Sequence, residues 1–110
     1  MATPAEFFAI DMRVGTVVGA EPFPEARKPS IRLVIDFGSE IGEKRSSAQL
    51  TMHYTPETLV GRQVVAAVNL GTRRIAGFSS EVLVLGGMPT QAEVVLLAVE
   101  RPVANGTRIG

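Results

Sequence analysis

The chain contains no cysteine and no tryptophan. Without a thiol it forms no disulfide, holds no thiolate zinc and has no cysteine nucleophile. Histidine is represented once, by His53, so a Ser/His or His/His constellation has at most one member. The patterning makes His53, beside Tyr54, a surface residue. Net charge is absent too: 11 basic and 11 acidic residues cancel. That removes the whole-domain field expected of an avid, non-specific nucleic-acid binder, and any anion must be held locally. Aromatics make up 5% of the chain, few for a reader of single strands, which gains roughly 1–3 kcal/mol for each base stacked on a ring. No Gly-x-x-x-x-Gly-Lys-Ser/Thr loop is present, so no nucleotide cofactor is expected. Asp36, Glu40 and Glu43 cluster on one turn, where solvation explains them and no metal is expected. The longest aliphatic run, Val94 to Val99, is far short of the roughly 20 residues that span a bilayer. The first residues have neither the basic start nor the apolar run of a secretory signal. A cytoplasmic, non-enzymatic protein without membrane insertion is the expectation.

What is present is one domain, residues 1–110, long enough to bury about two thirds of its extended-chain surface. Thr3-Pro4-Ala5-Glu6 has the form of a capping box with proline at the first helical position, which predicts a short helix over Pro4–Ala9. Thr55-Pro56-Glu57 repeats that logic, with Gly61 as terminator. Strands are predicted at Met12–Val18, Ser30–Phe37, Glu43–Leu50, Gln63–Leu70 and Val82–Leu85. The second alternates with Ile31, Leu33, Ile35 and Phe37 on one face. In the fourth, Val64, Ala66, Val68 and Leu70 point inward. Strand, strand, strand, helix, strand, strand is the order of an OB-fold: an all-β protein with short helices and a five-stranded barrel over about 11–87. Glu93–Glu100 adds a further apolar strand. The residues alone leave two readings of the terminal segments 1–10 and 88–110, as dimerisation elements or as flaps over their own barrel.

An OB-fold carries its ligand groove across strands 2 and 3, flanked by the first and fourth inter-strand loops. Those loops hold Arg27, Lys28, Arg73 and Arg74, with Arg32 and Arg45 on the sheet between them. Phe23 and Phe78 occupy the same loops and, with Met52 and Met88, either line an adaptable apolar pocket or plug the barrel.

Several segments carry a resemblance: Asp11-Met12-Arg13-Val14-Gly15, Glu21-Pro22-Phe23-Pro24-Glu25-Ala26-Arg27-Lys28-Pro29, Ile35-Asp36-Phe37-Gly38, Ser46-Ser47-Ala48-Gln49, Ile75-Ala76-Gly77-Phe78 and Ser80 to Gly86. With Arg101-Pro102-Val103 and Asn105-Gly106 they resemble the CsaA family of export-associated chaperones, over nearly the whole chain. Asn69, Leu70, Arg73, Gly77, Ser80 and Glu81 fit the signature of the wider superfamily of tRNA-binding OB-fold domains. The resemblance implies a homodimer paired through the terminal segments, whose partners are unfolded polypeptides or preproteins and a protein such as the export motor. The competing reading is a structure-specific tRNA-binding protein that uses the same groove, with Asn69, Arg73 and Ser80 near the phosphate backbone. Binding there should be weak, because Ala76 stands where RNA-binding relatives carry a basic residue.

Overall fold

A computed structural model describes residues 1–110. In chain order the elements are α1 (Pro4–Phe8), β1 (Met12–Pro22), β2 (Ile31–Asp36), β3 (Glu43–Ala48), α2 (Pro56–Leu59), β4 (Gln63–Ala67), β5 (Arg73–Ile75), β6 (Phe78–Ser80), β7 (Leu83–Val84), β8 (Gly86–Gly87) and β9 (Val95–Leu96). β3, β2, β1, β4 and β7 form one antiparallel sheet in that order. The sheet curls until its two edges meet. There the Glu81 amide donates to the Arg45 carbonyl at 2.7 Å and the Ser46 hydroxyl to the Val82 carbonyl at 2.9 Å. This is the nearly closed five-stranded barrel of an OB-fold.

The inward face of β2 is as the alternation predicts: Ile31, Leu33 and Ile35 are buried, followed by Phe37. They share the core with Val17, Leu50, Leu59, Val64, Ala66 and Val82. β1 is longer than predicted, running on to Pro22 through a bulge between Val17 and Gly19. Such an extra residue bends a strand and lets it serve two neighbours, here β4 first and β2 after. β4 and β7 are shorter than predicted. β4 stops at Ala67 with both faces buried at Val64–Ala67, so Leu70 lies outside it and is 51% exposed rather than inward. In β7, Leu83 faces out while Val82 before it is buried, so the Val82–Leu85 run is not covered on both sides.

Both short helices carry the predicted caps: Thr3 with Glu6, and Thr55 with Thr58 in the acidic partner's place. The strand predicted over Glu93–Glu100 shrinks to Val95–Leu96, paired with Gly86–Gly87. Gly86 permits that pairing, since a Cβ there would stand 2.7 Å from the Val95 carbonyl oxygen. This strap is pinned to its own barrel, the Leu96 amide donating to the Tyr54 hydroxyl at 3.0 Å and His53 Nε2 lying 2.7 Å from a Glu93 carboxylate oxygen. The last residues run along β1: the Val14 amide donates to the Thr107 carbonyl, the Gly106 amide to the Val14 carbonyl and the Ile109 amide to the Met12 carbonyl. Both segments after the barrel therefore fold back on it. They still leave Val95, Leu97 and Val103 exposed, and α1 buries no residue at all.

Asp11 and Arg13 anchor the start of β1. Arg13 Nε stands 2.6 Å from Asp11 Oδ1, and its Nη1 donates to the Gly106 carbonyl at 3.0 Å. The guanidinium hydrogen bond, aided by the charges of Arg13 and Arg108 and opposed by burial, holds the Asp11 carboxyl below its ordinary range. A carboxylate depressed in the folded state stabilises above its unfolded pKa of about 3.9 and loses that contribution as pH falls through the folded value. Asp11→Asn is therefore expected to lower the urea midpoint at pH 7, with the gap to the parent narrowing as pH drops below about 4. An equal gap at both ends of that range would show that the ionised carboxylate is not what matters.

Candidate binding groove

β5 and β6 form a hairpin whose two-residue turn places Ala76 at φ 46° and Gly77 at φ 81°. Positive φ at both central residues is the type I′ pattern, which matches the twist of the strands it joins. Ala76 is the one non-glycine residue with positive φ in the chain. Arg73 pairs with Ser80, Arg74 with Ser79 and Ile75 with Phe78. The base of the hairpin is stitched to β3: the Ser47 amide donates to Ser80 Oγ at 3.0 Å, and the Arg45 amide to Glu81 Oε1 at 3.0 Å. The hairpin thus stands up from the barrel at the place where the sheet edges meet.

On one side of it lies a groove of about 780 Å³. Arg27 and Lys28 of the β1–β2 loop form one wall and Arg73, Arg74 and Ile75 of β5 the other, with Ser47, Ala48, Gln49 and Leu50 at the base. Leu83, Val84, Leu85, Met88 and Val94 supply an apolar end. No carboxylate lines it. Arg27, Lys28, Arg73 and Arg74 are all exposed and none takes part in an ion pair. Arg74 alone is steadied, its Nη1 donating to Ser79 Oγ at 3.1 Å. Four unneutralised cations facing one another across an apolar cleft make a local positive potential in a neutral protein.

The far side of the hairpin is different. A concavity of about 490 Å³ is lined by Gly19, Ala20, Glu21, Arg32, Leu33, Val34, Arg45 and Phe78. The Arg32 guanidinium lies 5.0 Å from the Phe23 ring and 5.8 Å from Phe78, and Arg45 lies 5.1 Å from Phe78. The two rings meet edge to face at 5.4 Å. Arg32 also pairs with Glu21 at 2.8 Å. This ladder of rings and guanidinium groups fastens the β1–β2 loop to the hairpin, the half-exposed Arg45–Phe78 contact contributing roughly 0.5–1 kcal/mol.

The predicted site residues therefore divide. Arg27, Lys28, Arg73, Arg74 and Met88 meet in the groove, while Arg32, Arg45 and Phe78 face the concavity. Phe23 is 3% exposed and plugs the barrel mouth under Arg32. Met52 is exposed and lines neither hollow. Asn69 is spent on structure: its Nδ2 donates to the Ala9 carbonyl and its Oδ1 accepts from the Asp11 amide, both at 2.8 Å, tying α1 to the end of β4. Ser80 is buried and accepts from β3. Neither lines the groove. Ile75, Leu83 and Gln49 line the groove without having been singled out; for Leu83 the signal was strand alternation, which turns it outward when Val82 points in.

A family model described as "Putative tRNA binding domain" matches residues 12–108. The crystal structure of the chaperone CsaA of Bacillus anthracis str. Ames superposes with a TM-score of 0.95 at 55% identity, covering 100% of this chain and 99% of that one. The CsaA chaperone protein of Picrophilus torridus gives 0.91 at 41% identity, with complete coverage of both chains. The methionine–tRNA ligase of Methanocaldococcus jannaschii is 33% identical over 100 residues, 91% of this chain. The chain spans 15% of that ligase's length.

Proposed function

The chain belongs to the family of tRNA-binding domains, in its CsaA-like branch, and from that membership we propose that it is a cytoplasmic chaperone-like protein that holds unfolded or export-bound polypeptides. The observation that carries this reading is the composition of the groove: a cleft of about 780 Å³ with an apolar end, a cationic rim and no carboxylate. Unfolded chains present apolar side chains without a fixed sequence, which suits Met88, 61% exposed at the mouth. A methionine fills irregular gaps because its side chain is unbranched and polarizable. The rim takes acidic side chains and backbone carbonyls of the client. No step of bond making is needed.

The protein acts as a homodimer in this reading. Phe7, Phe8 and Ile10 on and beside α1 are 46%, 50% and 38% exposed, and a five-residue helix with no buried residue gains its stability from a surface packed against it. A second copy supplies that surface. The competing ligand is tRNA, favoured by the family description and by four cations without a counter-charge.

Fluorescence anisotropy of labelled bulk tRNA and of a labelled unfolded polypeptide, titrated from low to moderate salt, separates the two. If each of the four cations met one phosphate, log K would fall against log salt with a slope of roughly −3 to −4. The expected result is polypeptide binding that tolerates salt and tRNA binding that is feeble. Tight tRNA binding with the steep slope, beside weak polypeptide binding, would replace the chaperone reading by the RNA one.

A further inference from the structure

We infer that the groove holds its client as an added β-strand along the free edge of β5, and that it selects segments carrying acidic residues. The inference rests on the polypeptide-binding reading and deepens it. β5 pairs with β6 and with no other strand. In an antiparallel pair closed by a two-residue turn, hydrogen-bonded and non-hydrogen-bonded positions alternate. Ile75–Phe78 and Arg73–Ser80 are the bonded pairs, so the Arg74 N–H and C=O point away from β6. Neither group meets a partner among the loop and turn hydrogen bonds of the chain. β5 is also one wall of the groove, so the unused N–H and C=O of Arg74 border a cleft about 780 Å³ in volume.

An exposed edge of this kind is a template for any extended chain, and proteins commonly guard it with charge. Here the guard has one sign. Arg73 and Arg74 on the strand, with Arg27 and Lys28 opposite, repel a basic segment and admit an acidic one. The backbone bonds carry no sequence information, while side chains alternate in and out of the cleft, which is how strand addition combines breadth with preference. Leu83 and Met88, both exposed, receive the apolar side chains between the acidic ones.

N-methylation of the client decides it, because a methyl removes an amide donor and leaves the side chains unchanged. Three labelled octapeptides of alternating valine and aspartate are titrated beside the unfolded polypeptide: unmodified, methylated on every valine nitrogen, and methylated on every aspartate nitrogen. In an added strand one set of amides faces β5 and the other faces away. One methylated series is expected to lose at least tenfold in affinity and the other to stay within about threefold of the unmodified peptide. Two series that bind alike, whether both weakened or both unaffected, would overturn strand addition. An unmodified peptide that fails to bind while the unfolded polypeptide binds would overturn it too, leaving the chaperone reading intact. Failure of the unfolded polypeptide itself would remove that reading and the inference together.

Discussion

Replacing Arg27, Lys28, Arg73 and Arg74 together by alanine is expected to lower affinity for an unfolded acidic polypeptide about 100-fold while leaving the fold intact. Each of the four is exposed and outside any ion pair, so its removal breaks no contact the free protein needs beyond the Arg74–Ser79 hydrogen bond. Surface changes of that sort usually stay within about 0.5 kcal/mol of the parent's stability. Binding is another matter. A salt contact at a water-exposed surface is worth roughly 0.2–1 kcal/mol, and a client seated between the two walls shields all four from solvent. Taking the upper half of that range for each gives about 2–4 kcal/mol in total, or 30- to 1,000-fold. The residual affinity should be less sensitive to salt, because the apolar end of the groove remains. Isothermal titration of parent and variant with one acidic polypeptide, at low and moderate salt, reads both quantities. Unchanged affinity with an unchanged melting temperature would mean that the cations are a solvated face and the client sits elsewhere.

The cation cluster was legible in the chain because it depends on loop order alone: once the strand sequence gives an OB barrel, the first and fourth loops must meet over one face. Arg27 and Lys28 thus find Arg73 and Arg74 across 45 residues of chain. β2 was legible for a different reason. Ile31, Leu33, Ile35 and Phe37 alternate without interruption, and a sheet covered on one face enforces that period. The hairpin was not. Its turn lacks the Asn-Gly or Asp-Gly pair that announces type I′ geometry, and Ala76 takes the left-handed conformation that asparagine usually fills. The roles of Asn69 and Ser80 were hidden because they depend on where a single side chain points. Each serves as a fastener: Asn69 between α1 and β4, Ser80 between β6 and β3. Phe23 follows the plug reading of the two the sequence left open, and Arg32 lies over its ring. Cation and ring occupy each other at 5.0 Å, a contact that loop order alone does not reveal.

The barrel itself is exposed to a test at Phe37. Its ring is fully buried in the core cluster, resting on Gly15 of β1, where a Cβ would lie 2.8 Å from the ring atoms and 2.6 Å from Ile35 Cγ2. Phe37→Ala removes the ring and leaves a cavity, and such truncations cost about 3–5 kcal/mol. Against a typical total of roughly 5–15 kcal/mol, and at about 4 °C per kcal/mol for a chain of this size, the melting temperature is expected to fall by about 12–20 °C. Gly15→Ala is destabilising for the opposite reason, since it pushes a methyl into the ring and into Ile35. The two changes should not add. In the double variant the Gly15→Ala methyl enters space the ring has left, though its conflict with Ile35 persists, so the pair is expected to be less destabilised than the sum of the singles by about 1 kcal/mol. Urea unfolding of the four proteins measures that coupling. Strict additivity would show that the backbone of β1 shifts to relieve the close approach at Gly15, and that the glycine is there for strand curvature and not for the ring. Below its own melting transition the Phe37→Ala variant should still bind the acidic polypeptide within about threefold of the parent, because Arg27, Lys28, Arg73 and Arg74 are placed by the loops and the stitched hairpin and not by the ring. Loss of binding in a variant still folded at the assay temperature would instead tie the groove's shape to the packing beneath it.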